Sequence, residues 1–209
     1  MSDTVICFDL DDTLYKEIDF LISAYGEIAT RVGYPEVAQQ MVEWYINGKN
    51  AFEELIRTYG LKQTITDCLK IYKNHFPHIS LEDRVMEFLE DLKNSGAIMC
   101  VITDGKSITQ RNKIKALGIE KLLDCIIISE EIGSEKPAIR NYTIVMERFP
   151  YRKYFIYVGD NPTKDFSAPI QLGWKCYCLK GDERNIHQQD LNIIDHNKIK
   201  VISSIREII

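Results

Sequence analysis

No stretch of this 209-residue sequence is apolar for long enough to cross a bilayer, and the longest apolar run, residues 125–128, has the length of a strand. The beginning of the chain is acidic and lacks the positively charged region and the small-residue cleavage site of a signal peptide. Basic residues are few, with 26 Lys and Arg against 31 Asp and Glu, and the formal net charge is −5. These absences predict a cytoplasmic protein and argue against a nucleic-acid or membrane partner.

Metal-binding patterns built from cysteine and histidine are missing as well. None of the six cysteines belongs to a Cys-x-x-Cys pair, and most of them lie in apolar, strand-like segments. His75 and His78 flank Pro77 in a predicted loop, and no cysteine pair accompanies them. We therefore interpret the cysteines as buried, reduced thiols rather than as disulfides or zinc ligands.

The sequence does contain a regular alternation of strand and helix patterns. Apolar runs predict buried strands at residues 4–8, 98–103, 125–128, 155–158 and 174–179, with a final edge strand at 199–203. Helical patterns cover residues 81–93, 107–117 and 137–149, the last with Pro137 in its first turn, and a closing helical turn is expected at 204–209. Strands that alternate with helices predict an α/β fold with a Rossmann-like parallel sheet covered on both faces.

Residues 16–77 interrupt this alternation, because they contain helical stretches and aromatic residues but no convincing strand. A crossover between two parallel strands rarely needs so much chain. We therefore predict an inserted all-α cap domain at 16–77 and a Rossmann-like catalytic core made of residues 1–15 and 78–209. Two long core helices joined by loops are the alternative interpretation.

Acidic residues cluster where predicted strands end. Asp9, Asp11 and Asp12 follow the first strand, and Asp160 and Asp165 follow the fourth. Ligands of open α/β sheets bind at the C-terminal edge of the strands, and clustered carboxylates repel one another unless a cation lies among them. Hard oxygen ligands suit Mg²⁺, which prefers one or two carboxylates together with water and a phosphate oxygen.

Donors for a phosphate group are predicted at the same edge. Thr103 supplies a hydroxyl group after the second strand, and Asp104 and Gly105 add backbone N–H groups. Lys136 supplies a cation immediately before the helix that Pro137 is expected to begin. A phosphate dianion needs such donors on the oxygens that the metal does not bind.

These segments resemble, in order, the motifs of the haloacid dehalogenase-like superfamily of phosphohydrolases. The motifs are Phe8-Asp9-Leu-Asp-Asp-Thr-Leu14, Ile102-Thr103-Asp-Gly105, Lys136-Pro137 and Gly159-Asp160-Asn-Pro-Thr-Lys-Asp165. The resemblance covers nearly the whole chain and implies that residues 16–77 form the inserted helical cap of that superfamily. Asp104 departs from the neutral residue common at its position, and we expect only its backbone to take part in binding.

The resemblance also implies a role for each acid. Asp9 would be the nucleophile that forms an aspartyl-phosphate, and Asp11 would protonate the leaving oxygen and then deprotonate the attacking water. Mg²⁺ would bind Asp9, the backbone carbonyl of Asp11, and Asp160, while Asp165 would complete the surroundings of the metal or orient Lys136. Thr103, the Gly105 N–H group and Lys136 would hold the phosphate.

An acid at position 11 favours a phosphate ester over a halide, since a departing halide needs no proton. We predict a magnesium-dependent phosphatase, monomeric or homodimeric, whose substrate is a small phosphorylated metabolite such as a sugar phosphate or a nucleoside monophosphate. A phosphomutase with the same aspartyl-phosphate and a catalytically silent binding protein remain as alternatives. Candidates for substrate specificity in and beside the cap are Tyr15, Lys16, Tyr45, Asn47, Lys49 and Arg57.

Overall fold

Six parallel strands form one sheet at the centre of the protein, for which a computed structural model describes Met1 and residues 3–208. The strands lie in the order β3-β2-β1-β4-β5-β6, so that the site-bearing β1 occupies the middle of the sheet. The predicted α/β fold with a Rossmann-like sheet is confirmed, including β6 as an edge strand. The strands are β1 (Thr4–Phe8), β2 (Ile98–Thr103), β3 (Cys125–Ile128), β4 (Tyr154–Gly159), β5 (Lys175–Leu179) and β6 (Ile199–Ile202).

Helices cover both faces of this sheet. Apolar side chains that point alternately to the two faces of β1 join two separate hydrophobic clusters: Ile6 and Phe8 belong to one, Val5 and Cys7 to the other. The helices are α1 (Glu17–Arg31), α2 (Ala38–Ile46), α3 (Ala51–Tyr59), α4 (Ile65–Asn74), α5 (Asp83–Asn94), α6 (Ser107–Ala116), α7 (Ser129–Ile132), α8 (Arg140–Arg148) and α9 (Ser167–Gln171). Short 3₁₀ turns lie at Pro35–Val37, Glu120–Leu122, Leu191–Ile193 and Ile205–Ile208.

The helix predicted to begin at Pro137 begins three residues later, at Arg140. The chain first makes a turn, closed by a bond of 2.9 Å from the Ala138 N–H to the carbonyl of Glu135. The Lys136 N–H donates a hydrogen bond of 3.0 Å to the carboxylate of Asp104, and this bond holds the turn against the end of β2. The closing turn predicted at 204–209 is the 3₁₀ turn Ile205–Ile208, and residue 209 lies outside the described residues.

Helices α1 to α4 pack around a hydrophobic cluster of their own. Its buried members include Leu21, Ile28, Met41 and Leu55, and the cluster contains no residue of the sheet. Four helices with a separate core are the arrangement that an inserted cap requires. The packing supports the boundaries at 15/16 and 77/78, which remain a prediction of domain organisation.

All six cysteines are free and buried. No helix among the described residues combines the length and the apolar character needed to cross a membrane.

Candidate active site

A buried lysine joins two carboxylates at the C-terminal edge of the sheet. Asp9 directly follows β1, and Lys136 lies in the turn before α8. The Lys136 Nζ lies 2.8 Å from Asp9 Oδ1 and 2.8 Å from Asp165 Oδ1. Burial alone would lower the pKa of Lys136, but Asp165 and Asp9 outweigh burial and raise it well above its ordinary value. Lys136 is therefore a fixed positive charge beside Asp9.

Asp165 is fully buried, and both of its oxygens accept hydrogen bonds. Its Oδ1 accepts from Lys136 and, at 3.2 Å, from the Tyr157 hydroxyl, and its Oδ2 accepts from the Asn161 N–H at 2.8 Å. A Cβ atom on Gly159 would collide with this carboxylate, so glycine is required where β4 ends. Of the two roles that the sequence left open for Asp165, these contacts favour the orientation of Lys136.

Three carboxylates at this edge meet the geometry of a metal site. Asp9, Asp160 and Asp165 each offer an oxygen, and the three oxygens lie within 4.8 Å of one another. Burial raises the pKa of Asp9 to about 7 against the opposing effect of Lys136, and burial with repulsion from Asp9 and Asp165 raises the pKa of Asp160 to about 8. Lys136 thus supplies a single positive charge to a group of three buried acids, so that a further cation would stabilise the group. Since Asp165 is engaged elsewhere, Asp9 and Asp160 are the carboxylates that fit Mg²⁺.

Asp11 lies beside Asp9 but has different partners. Lys113 Nζ, on α6, donates to its two oxygens at 2.7 and 2.9 Å, Gln110 Nε2 donates to Oδ2 at 3.2 Å, and the Tyr15 hydroxyl donates to Oδ1. Burial opposes ionisation of Asp11, but Lys113, Tyr15 and Gln110 together outweigh burial and lower its pKa below 3.8. Three side chains therefore fix the position of Asp11 and favour its ionised form.

The loop after β2 is organised differently from the expected phosphate cradle. Thr103 and Asp104 line the cavity above Asp9, but the Gly105 N–H donates to Ser129 Oγ at 2.9 Å, so this predicted phosphate donor is already engaged. The Asp104 side chain has a partner in the fold, because its Oδ1 accepts from the Lys136 N–H at 3.0 Å. The loop thus ties β2 to the turn that contains Lys136, and of its predicted phosphate donors the Gly105 N–H is the one already bonded within the fold.

Two small adjoining cavities open from this site towards the cap. One, of about 160 Å³, is lined by Asp9, Thr103, Lys136 and Asp160, and the next, of about 230 Å³, by aromatic residues of the cap. Glu17 and His187 line both of them. Two larger cavities, of about 650 and 1010 Å³, include none of Asp9, Asp11, Lys136 or Asp160 in their walls.

The six residues proposed for specificity are widely separated. Tyr15 contacts Asp11, and Tyr45 lines the aromatic cavity. Lys16 is held by Asn185 at 2.7 Å and Asp182 at 3.0 Å, and so joins the cap to the segment after β5. The remaining three lie away from both cavities: Asn47 at the end of α2, Lys49 exposed beside it, and Arg57 paired with Glu54.

Comparison with known proteins identifies the family. The pattern of the haloacid dehalogenase-like hydrolases matches residues 6–178. The chain belongs to this family. Among relatives, a glyceraldehyde 3-phosphate phosphatase from Methanocaldococcus jannaschii is 26% identical over 96% of this chain and 95% of the relative. A ribulose-1,5-bisphosphate 5-phosphatase from Halopiger xanaduensis is 24% identical over 81% and 82% of the two chains.

The solved structure of a predicted phosphoglycolate phosphatase from Haemophilus somnus 129PT covers 100% of this chain and 97% of its own, with a TM-score of 0.66 at 19% identity. At 19% identity this similarity is evidence for the fold alone, and it supports the fold over the whole length of the chain. The prediction that the chain is a hydrolase of the haloacid dehalogenase-like family is confirmed.

Sequence reasoning missed two site residues of this hydrolase on α6. Gln110 and Lys113 read as an ordinary polar face of a surface helix, yet both are buried. One signal was available: residues 107–116 contain few apolar residues for a helix that must cover a sheet. A covering helix with so little apolar surface must bury polar side chains, and buried polar side chains need partners.

Proposed function

We propose that this hydrolase is a magnesium-dependent phosphatase that transfers the phosphoryl group of a small sugar phosphate to Asp9 and then to water. The observation that carries the proposal is the position of Asp9: buried, 2.8 Å from the Lys136 ammonium, and within reach of Asp160 for a shared cation. Asp9 is thus an oriented carboxylate at the ligand-binding edge of a parallel sheet.

The residues account for both halves of the reaction. In the first, an Asp9 oxygen attacks phosphorus, the bond from phosphorus to the ester oxygen breaks, and Asp11 in its protonated form gives its proton to the departing alcohol, which leaves Asp11 as a carboxylate. In the second, water attacks the aspartyl-phosphate, Asp11 accepts the proton of that water, and inorganic phosphate leaves Asp9. Mg²⁺ bound by Asp9 and Asp160 would supply positive charge to the phosphoryl oxygens. Lys136 and Thr103 hold the remaining phosphoryl oxygens throughout.

The size and lining of the cavities favour a small sugar as the leaving group. Both cavities are smaller than the roughly 300–1,000 Å³ typical of sites for larger ligands. Glu17 and His187 offer hydrogen-bonding groups to sugar hydroxyls, and Tyr45 and Phe52 cover the far side. The relatives named as phosphatases of glyceraldehyde 3-phosphate and ribulose 1,5-bisphosphate support sugar phosphates over nucleoside monophosphates.

A phosphate-release assay tests the proposal. We expect the protein with Mg²⁺ to release inorganic phosphate from three- to five-carbon sugar phosphates, to act less on nucleoside monophosphates, and to stop when a chelator removes the metal. Release that occurs only in trace amounts, with transfer between positions of a sugar and dependence on a bisphosphate activator, would indicate a phosphomutase. No release from any phosphate ester would contradict the proposal and favour the silent binding protein.

Mg²⁺ should also stabilise the protein, and Asp160 should be required for this effect. At a concentration about 100 times its Kd, a ligand of the native state adds about 2.7 kcal/mol to the free energy of unfolding, which is a rise of roughly 5–10 °C in melting temperature for a chain of this size. Asp160→Asn should lose most of this rise. Without metal, Asp160→Asn should melt at or above the wild-type temperature, because it removes a carboxylate that Asp9 and Asp165 repel. Equal shifts in both proteins would place the metal elsewhere.

A further inference from the structure

The carboxylate of Asp11 is held almost entirely by one helix. Lys113 and Gln110 lie three residues apart on α6 and so project from the same side of it. Together they make three of the four contacts given above, and the Tyr15 hydroxyl makes the fourth. Both oxygens of Asp11 therefore accept from fixed donors, which defines the direction of the carboxylate.

Lys113 has no other acidic partner within hydrogen-bonding distance among the described residues. Its side chain is 3% exposed, and Asp11 is the acid with which it forms an ion pair. On its other side, its ammonium group lies 4.3 Å from the centre of the Phe20 ring of α1. Burying a lysine is unfavourable unless it is paired, so the position of Lys113 between the core acid and the first cap helix requires Asp11.

Gln110 joins Asp11 to the loop after β2. The same Nε2 atom that faces Asp11 donates to the carbonyl of Asp104 at 2.8 Å. A Cβ atom at Gly105 would lie 2.9 Å from this nitrogen, so glycine at 105 leaves the space that the Gln110 amide occupies. This gives Gly105 a role other than phosphate binding, because it admits the side chain that steadies Asp11.

Helix α6 also carries the end of the cap. Thr109 Oγ1 donates to the carbonyl of Lys73 at 2.8 Å, and Asn112 Nδ2 donates to the carbonyl of His75 at 3.1 Å. The helix that fixes Asp11 is therefore the one on which the last cap helix, α4, is seated. Through Phe20 and these two bonds, α6 contacts both the first and the last helix of the cap.

We propose that Lys113 and Gln110 are positioning residues that hold the Asp11 carboxyl group in line with the leaving oxygen, to which its protonated form donates. This inference rests on the proposed phosphatase activity and extends it to residues that contact neither phosphate nor metal. The expected effect depends on the substrate: the two residues should raise kcat/KM for phosphate esters whose leaving group needs a proton from Asp11. They matter little for esters whose leaving group departs as a stable anion.

The test compares two esters in the complete protein with Mg²⁺. Glyceraldehyde 3-phosphate releases an alcohol, whereas 4-nitrophenyl phosphate releases a phenolate that needs no proton. The ratio kcat/KM reports the steps up to release of this first product, before water enters. For Lys113→Met we expect kcat/KM to fall about 10–100-fold with glyceraldehyde 3-phosphate, part of the roughly 10²–10⁴-fold that general acid catalysis supplies, and less than about 3-fold with 4-nitrophenyl phosphate.

Three further variants separate positioning from folding. Lys113→Arg keeps a cation and two donors, and should restore part of the loss with glyceraldehyde 3-phosphate. Lys115→Met, which removes an exposed lysine from the same helix, should leave kcat/KM unchanged with both esters. Adding Lys113→Met to Asp11→Asn should cause little further loss, because Lys113 acts through Asp11.

Several results would overturn the proposal. Equal losses with the two esters would show a general structural effect, and losses that multiply in the double variant would show that Lys113 acts independently of Asp11. If Lys113→Met does not fold, Gln110→Met takes its place, since it removes one hydrogen bond and no charge, and the same contrast between esters is required. Failure of the wild-type protein to act on either ester would instead contradict the proposed function itself.

Discussion

Replacing Asp9 by asparagine is expected to abolish turnover, with kcat lower by about 10⁴-fold or more, as is typical when a nucleophile is removed. An amide oxygen is a poor nucleophile, and it lacks the charge that Mg²⁺ and Lys136 face in the wild-type protein. The shape of the side chain is preserved, so that substrate and phosphate can still enter. Phosphate release with saturating sugar phosphate and Mg²⁺ measures the effect.

The same variant should fold at least as well as the wild-type protein, and the direction follows from the pKa of Asp9. Because burial raises this pKa from 3.8 to about 7, the favourable contribution of the protonated form is present below pH 4 and is lost as pH rises through 7. Asparagine resembles the protonated acid at every pH. In metal-free protein we therefore expect the free energy of unfolding of Asp9→Asn to exceed that of the wild type more at pH 8 than at pH 5.

A matched control and a direct probe complete this prediction. Asp91→Asn makes the same chemical change at an exposed position of α5 and should leave turnover unchanged. Acid-quenched wild-type protein should carry one phosphoryl group on the peptide that contains Asp9, and Asp9→Asn should carry none. Substantial activity in Asp9→Asn, or a phosphoryl group on another residue, would show that Asp9 is not the nucleophile.

The strands and the strand-end acids were predictable because local sequence determines them. A strand buried on both faces of a parallel sheet must be apolar throughout, so that residues 4–8 and 98–103 are distinct even in a single sequence. Residues that follow such strands must meet at one edge of the sheet. The proximity of Asp9 and Asp160 follows from topology alone, before any side-chain contact is known.

The partners of those acids could not be predicted in the same way. Lys113 is 102 positions from Asp11 in the chain, and nothing in its own segment distinguishes it from the exposed Lys115 two residues later. Gly105 was assigned to phosphate because its motif suggests a binding loop, whereas the structure gives its N–H to Ser129. In both cases the decisive contact lies between distant segments, and it depends on how α6 and α7 pack on the sheet edge.

Replacing Lys136 by methionine should cause the second large loss of activity, because Lys136 orients the nucleophile Asp9 and also compensates the negative charge of the buried acids. Its ammonium lies between Asp9 and Asp165, and no other lysine or arginine among the described residues forms an ion pair with either acid. Loss of a charged donor to the transferring group typically lowers kcat about 10²–10³-fold, and the loss of orientation of Asp9 adds to this. We therefore expect kcat/KM with sugar phosphates to fall by about 10³-fold or more.

Lys136→Met should lower stability as well as activity, whereas Asp9→Asn should lower activity alone. Removing one partner of a buried ion pair commonly lowers the free energy of unfolding by about 3–5 kcal/mol, since the remaining charge is left without compensation. Protonation of Asp9 relieves this charge, so urea unfolding without metal should show a larger difference from the wild type at pH 8 than at pH 5. Lys121→Met, at an exposed position, is the matched control and should change neither property. A fully active Lys136→Met protein would contradict the placement of this cation at the reacting group. A variant that is inactive but as stable as the wild type would limit the role of Lys136 to catalysis and contradict its role in stabilising the buried acids.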